Sequence, residues 1–298
     1  LARSSSAFGL SCALTTPFLA DGALDRARFA DHAAWCLERG CSSVTVFGTT
    51  GEGASLGLSA RQGAIDALRA RGIDLRRQVV GGVAAAAHED ALDHMRLLLD
   101  AGARAVLLAP PFYFKDVGED GLFAWFSTLF DALGEGLRDV ILYNIPSVTA
   151  VALSPALVGR LRQAYPAAIV GVKDSSGSRD SAAAFLDAHR DMAVLIGDER
   201  LLAGAMEAGA EGAISGLANV VPERMAAIIA DAAPDAVVSG MVDALMDHAV
   251  TPAVKSLVAD HTGEEGWRRV RPPLRALDEA EASRLRAAVS AAGSARAA

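Results

Sequence analysis

The chain has 298 residues and a formal net charge of −8. That acidic balance disfavours a nucleic-acid partner, since phosphate backbones are met by basic faces, and no apolar run approaches the length of a bilayer span. The length suits one large α/β barrel with an extension. With 52% hydrophobic but only 5% aromatic residues, the core is expected to be built from small and branched aliphatics.

In chain order, short apolar runs alternate with longer amphipathic ones. Strands are predicted over residues 11–15, 43–47, 79–83, 105–109, 139–143, 169–173, 193–197 and 212–215. Helices are predicted over residues 25–39, 59–71, 89–101, 119–133, 154–164 and 199–208, among others. Gly40, Gly72, Gly102 and Gly209 follow helices as C-cap glycines do. Near-continuous apolar strands suit a parallel sheet covered by helices. Eight β-then-α units are complete by about residue 233, and eight is the closing number of the TIM barrel. A doubly wound open sheet is the rival. It wants a Gly-rich phosphate turn after the first strand, whereas this chain has Thr15-Thr16-Pro17-Phe18. The expected architecture is a (β/α)8 TIM barrel over residues 1–233, carrying the active site. A C-terminal helical region follows over residues 234–298, packed on the barrel or on a partner subunit. Its helices are predicted at 237–248, 252–261 and 274–291, punctuated by Pro252, Pro272 and Pro273.

Cys12, Cys36 and Cys41 leave an odd thiol and form no CxxC pair. That is neither a disulfide framework nor a zinc pattern, so a reducing cytoplasm is the expected compartment. Residues 1–7 lack the apolar stretch of a secretory signal, and residues 291–298 are small and polar enough to fray.

In a barrel, chemistry sits where strands end. The second predicted strand ends in Phe47-Gly48-Thr49-Thr50-Gly51-Glu52-Gly53, the fourth in Pro110-Pro111-Phe112-Tyr113, and the fifth in Tyr143-Asn144-Ile145-Pro146. The sixth ends in Lys173-Asp174-Ser175-Ser176, the seventh in Gly197-Asp198-Glu199, and the eighth in Ile214-Ser215-Gly216.

Lys173 is central. Of 28 Lys and Arg residues only Lys115, Lys173 and Lys255 are lysines. Guanidinium cannot lose its proton or attack a carbonyl, and an amine can. Strand alternation puts Lys173 on one face with Ile169 and Gly171, and Gly171 is expected to leave room beside it. Enclosure from water favours a neutral amine over an ammonium. The plainer alternative is a lysine paired with Asp174 at a strand end.

Thr49-Thr50-Gly51 offers small residues whose backbone N–H groups can converge on a carboxylate, with two hydroxyls added. The plainer reading is a Gly-rich turn with hydroxyl caps. The stretch does not match a GxGxxG fingerprint. Of three tyrosines, Tyr113 and Tyr143 lie at strand ends. A phenol there can pass protons between an amine, a carbinolamine oxygen and water, or can simply plug the barrel mouth. The six histidines are dispersed and make no HxxxH pair, so a metal-dependent aldolase is disfavoured; neither a metal nor a cofactor is expected.

Together these segments resemble the dihydrodipicolinate synthase and N-acetylneuraminate lyase superfamily, over residues 8–277. The marks are Thr15-Thr16-Pro17-Phe18, Gly48-Thr49-Thr50-Gly51-Glu52, Pro110-Pro111-Phe112-Tyr113, Tyr143-Asn144-Ile145-Pro146, Gly171-Val172-Lys173-Asp174 and Gly209-Ala210-Glu211-Gly212-Ala213-Ile214-Ser215. The resemblance implies a class I, metal-free aldol mechanism on pyruvate or a 2-keto acid and an aldehyde. Lys173 would form the Schiff base and Tyr143 would shuttle protons. Thr49 and Thr50 would lie near the pyruvate carboxylate, Thr49 also relaying between tyrosines. Tyr113 looks like the tyrosine that reaches into a neighbouring subunit's site. Ile214 would turn its carbonyl to the substrate. A homodimer or homotetramer is implied.

The sequence departs from the lysine-pathway synthases after Tyr143-Asn144-Ile145-Pro146-Ser147. Those enzymes typically place an arginine there for the aldehyde's carboxylate, and this chain has Val148. Leu58, Arg61, Ala86 and Phe112 stand where a lysine-feedback pocket would want mostly polar side chains. Arg179 or another basic residue is the candidate to restore the missing contact. A 2-keto-3-deoxy sugar acid aldolase or dehydratase is therefore favoured over a true lysine-pathway synthase. A barrel that binds a keto acid without turnover is the alternative outside catalysis.

Overall fold

Each of the eight apolar runs forms a strand in the computed structural model of the chain, which describes residues 8–294. They are β1 (Gly9–Ala13), β2 (Ser43–Val46), β3 (Val79–Val83), β4 (Ala105–Leu108), β5 (Val140–Asn144), β6 (Ile169–Asp174), β7 (Ala193–Ile196) and β8 (Gly212–Ser215). Every neighbouring pair is parallel, and β8 closes on β1 through Gly9↔Gly212 to Cys12↔Ser215. The chain is a (β/α)8 TIM barrel with C-terminal helices. Residues 1–7 of the expected barrel unit, and residues 295–298 of the expected helical region and frayed tail, lie outside the described residues.

The helices fall where amphipathic periodicity puts them. Arg26–Glu38, Leu58–Ala70, His88–Asp100, Glu119–Leu133, Pro155–Ala164 and Glu199–Glu207 each lie within a residue of expectation at either end. Arg179–Ala188 and Pro222–Asp231 complete the ring. Asp25 caps the first of them by accepting from the Arg28 N–H, and Ser154 caps the fifth through the Leu157 N–H.

Three boundaries move for identifiable reasons. β1 ends at Ala13 rather than residue 15, because the Thr15 N–H is taken by Asn219 Oδ1 at 3.1 Å instead of a strand neighbour. β5 starts at Val140, because Asp139 has φ 51° and cannot extend a strand. The last helix starts at Glu279 rather than 274. Asp278 and Glu281 form a reciprocal capping box there, with Glu281 N donating to Asp278 Oδ1 and Asp278 N donating to Glu281 Oε2, both at 2.8 Å.

Alternation along the strands divides the core in two. Val80, Leu107, Ile141, Tyr143, Leu195 and Ile214 fill the barrel interior. Val44, Val106, Leu142, Val172 and Val194 face outward to the helices. The C-terminal helices are Ala236–Met246, Val250–Thr262 and Glu279–Ser294. The first packs on Glu199–Glu207 and on the third. The second is buried from Thr251 to Ala259, so it is enclosed on nearly all sides.

Candidate active site

Tyr143 and Lys173 occupy the inward row at the carboxyl ends of β5 and β6 and are direct register partners. Lys173 Nζ lies 3.2 Å from Tyr143 Oη and 4.4 Å from the ring centroid. Both residues are buried, at 5% and 6% exposure. Two strands thus deliver an amine and a phenol to hydrogen-bond distance in a setting shielded from bulk water.

Room for the lysine comes from a different glycine than strand alternation suggests. A Cβ on Gly197, at the end of β7, would sit 3.1 Å from Lys173 Cε and 1.9 Å from Ser175 Oγ. A Cβ on Gly171 would instead press on the Ala193 carbonyl at 2.9 Å, so Gly171 serves strand packing. The pairing of Lys173 with Asp174 does not occur. Asp174 faces outward and accepts from Asn144 Nδ2 at 2.7 Å, Ser176 Oγ at 2.9 Å and Ser181 Oγ at 3.3 Å. That network ties the ends of β5 and β6 together just outside the Tyr143–Lys173 pair.

The loop after β2 is tightly determined. Phe47 and Glu52 flank it in the left-handed region, at φ 60° and 55°, which costs about 1–2 kcal/mol each for residues other than glycine. Gly53 tolerates the turned Phe47 carbonyl, which a Cβ would meet at 1.7 Å. Gly51 is likewise required, since a Cβ would lie 2.6 Å from the Leu14 carbonyl. Glu52 N and Gly53 N close turns onto Thr49 O and Gly48 O, and those turn bonds leave the Thr50 and Gly51 N–H groups aside. Thr49 is exposed at the mouth, and Thr50 is half-buried against Gly216 at the end of β8.

A cavity of about 280 Å³ opens beside Tyr143, lined also by Thr49, Leu107, Phe112, Ile145 and Val148 among others, while Lys173, Thr50, Gly51 and Ile214 lie off its wall. Among the described residues, no Lys, Arg or His lines it, and the one charged residue there, Glu52, has its side chain enclosed in the fold. Val148 is 59% exposed on the short helix Pro146–Thr149. Ile214 points into the barrel at 1% exposure. Tyr113 is not brought to the pair by its own chain. It stands 73% exposed, edge-on to Phe114 at 5.3 Å between ring centroids. Arg179 is exposed and leans toward Gly204 on Glu199–Glu207.

Arg61, expected at the wall of a regulatory pocket, lies wholly inside the fold. Its guanidinium donates to the carbonyls of Leu56, Gly82 and Gly53 at 2.9, 2.8 and 2.7 Å, and burial pulls its pKa down to about 10. Leu58 stays at the surface, 43% exposed.

Two features escaped sequence reasoning. Glu199 accepts from Ser215 Oγ at 2.7 Å, clasping the ends of β7 and β8, and burial raises its pKa. Lys255 forms a buried ion pair with Glu52 at 2.6 Å. The signal for the second was present, since Lys255 is another of the three lysines in an arginine-rich chain. Among the described residues, no group of three or more His, Cys, Asp or Glu is arranged to hold a metal ion, and no helix is long and apolar enough to cross a membrane.

Comparison with known proteins gives a consistent result. The sequence profile of the Dihydrodipicolinate synthetase family matches residues 6–292. The crystal structure of dihydrodipicolinate synthase from Agrobacterium tumefaciens is 48% identical, with a TM-score of 0.93 over 95% of this chain and 99% of that one. A 4-hydroxy-tetrahydrodipicolinate synthase of Acidithiobacillus ferrooxidans is 35% identical over 222 residues, 73% of each chain. The structure of KD(P)GA from T. tenax is 27% identical, with a TM-score of 0.82 over 96% of this chain and 99% of that one.

Proposed function

We propose that this chain, which belongs to the dihydrodipicolinate synthetase family, makes or breaks a carbon–carbon bond between pyruvate and an aldehyde through a Schiff base on Lys173. The observation that carries this is the buried Lys173 amine 3.2 Å from the Tyr143 phenol at the carboxyl ends of the barrel strands. The amine attacks the keto carbon of pyruvate, and Tyr143 carries protons as the carbinolamine loses water. The resulting iminium draws electrons from the adjacent methyl group, which gives up a proton to form an enamine. The enamine carbon then attacks the aldehyde, and water releases the product from the lysine. Cleavage runs the same steps backward. Thr49 and Thr50 would hold the pyruvate carboxylate, assisted by backbone N–H groups of the Thr50-Gly51 turn. The Ile214 carbonyl would face the substrate.

The second substrate is read from what surrounds Tyr143. A desolvated second carboxylate needs a charged partner. Val148 offers none and the cavity wall carries no basic side chain. These observations favour a 2-keto-3-deoxy sugar acid aldolase or dehydratase over condensation with aspartate semialdehyde. The expected division into a site-bearing barrel over residues 1–233 and a helical region over residues 234–298, an active homodimer or homotetramer, and a cytoplasmic setting belong to the same proposal.

The test is a panel that follows pyruvate. Release from 2-keto-3-deoxy sugar acids and sialic acid is measured alongside its consumption with aspartate semialdehyde and with uncharged hydroxyaldehydes. Turnover of a 2-keto-3-deoxy acid supports the reading. Failure of every member to release or consume pyruvate overturns it in favour of a keto-acid-binding barrel.

A further inference from the structure

We propose that the buried Glu52–Lys255 ion pair positions the Thr49–Thr50 loop for the carboxylate of pyruvate, so that the C-terminal helical segment completes the site from above. This rests on reading Thr49 and Thr50 as the carboxylate partners.

The pair joins residues 203 positions apart and is wholly enclosed, with both side chains at 0% exposure. Each end is tied to the loop or to what holds it. Lys255 Nζ donates to Glu52 Oε1 at 2.6 Å and to the Thr16 carbonyl at 2.8 Å, and it lies 4.4 Å from the Phe18 ring centroid. Thr16 Oγ1 in turn donates to the Gly51 carbonyl at 2.6 Å. Glu52 Oε2 accepts from the Arg271 N–H at 2.8 Å, while Arg271 Nη1 donates to the Ser55 carbonyl at 2.7 Å. One turn before Lys255, Thr251 Oγ1 donates to the Thr49 carbonyl at 3.2 Å. None of these ties uses the hydroxyl of Thr49 or Thr50, so the clamp fixes the loop through its backbone and Glu52 and leaves the hydroxyls for a ligand.

Stability alone is a weak reason for such a pair. Two charges taken out of water rarely outperform well-packed apolar side chains. Here the pair also holds Glu52 in the left-handed region, which a non-glycine residue keeps only when its surroundings over-determine it. Scaffold geometry of this kind is what a carboxylate site requires, because misplacement of donors by about 0.5 Å already degrades a preorganised site.

The experiment reads the pyruvate concentration that gives half-maximal borohydride trapping, which needs no knowledge of the second substrate. Lys255→Met is expected to raise that concentration at least tenfold while leaving the trapped fraction at saturation unchanged, since Lys173 is untouched. Thr251→Val removes one hydroxyl donor from the Thr49 carbonyl and is expected to raise it two- to fivefold without altering the melting temperature. It decides the case if Lys255→Met yields no folded protein. A purely structural pair would lower the melting temperature and leave half-saturation of the surviving folded protein unchanged, which overturns the proposal. Absence of trapping in the parent protein overturns the underlying reading instead, and this one with it.

Discussion

Tyr143 Oη stands 3.2 Å from Lys173 Nζ because the two residues are register partners on adjacent parallel strands, each the last inward-facing position before its loop. The contact is thus set by the barrel rather than by a loop. Replacing Tyr143 by Phe keeps the ring that helps fill the barrel mouth and removes only the hydroxyl proposed to carry protons. Turnover with the best substrate of the pyruvate panel is expected to fall by about 10²–10⁴-fold, the usual range for losing a general acid or base, with the fold intact. Steady-state rates together with circular dichroism check this. A variant within tenfold of the parent would remove Tyr143 from the mechanism.

Val148 is expected to decide between aldehydes. With no basic residue on the cavity wall, aspartate semialdehyde is expected to be condensed at least roughly a hundredfold below the ~10⁵ M⁻¹s⁻¹ of an efficient enzyme. Val148→Arg places a guanidinium at this 59% exposed position and is expected to raise kcat/KM for aspartate semialdehyde specifically, by about tenfold or more if a charge-assisted contact forms. Free lysine is expected not to inhibit the parent, as Arg61 is committed to three backbone carbonyls. Efficient parent condensation, with no gain in the variant, would contradict this assignment.

Tyr113 and Phe114 are over 70% exposed, an unusual state for adjacent aromatics in one chain. The active species is expected to be at least a dimer, with Tyr113 buried in it. Sedimentation at assay concentration gives the state. Tyr113→Phe is expected to slow turnover without lowering the melting temperature of the protein. A monomer of full activity would refute the shared site.

Acid stability should report His94. Burial, reinforced by the Arg61 charge, draws its pKa down to about 4, against roughly 6.5 in an unfolded chain. Above pH 6.5 both states are neutral at this position and it contributes nothing to the slope. Between about pH 6.5 and 4 the unfolded chain takes up a proton that the folded chain refuses, so stability falls as pH falls. The slope is at most about 1.4 kcal/mol per pH unit and smaller for a partly exposed ring. His94→Gln is expected to flatten the fall in urea midpoint between pH 6.5 and 4.5. Identical slopes in parent and variant would contradict the assignment.

The sequence was most informative where local chemistry repeats. Strand–helix alternation marked all eight strands, and C-cap glycines such as Gly40 and Gly209 do take positive φ, both at 103°. The inward placement of Lys173 followed from period-two geometry. What stayed hidden depends on long-range partners. No local pattern says that Asp174 is claimed by Asn144, that Gly197 rather than Gly171 clears space for the lysine, or that Arg61 is swallowed by three carbonyls. Glu52 and Lys255 meet across the fold, so only their residue types hinted at a role.

The proposed chemistry turns on one covalent bond. Incubation with pyruvate and borohydride, followed by peptide mass spectrometry, tests it directly. The expected result is a single reduced pyruvyl group on Lys173, dependent on pyruvate and abolished in Lys173→Arg, because guanidinium cannot supply a free amine. Labelling at Lys115 or Lys255, or no pyruvate-dependent label at all, would contradict it.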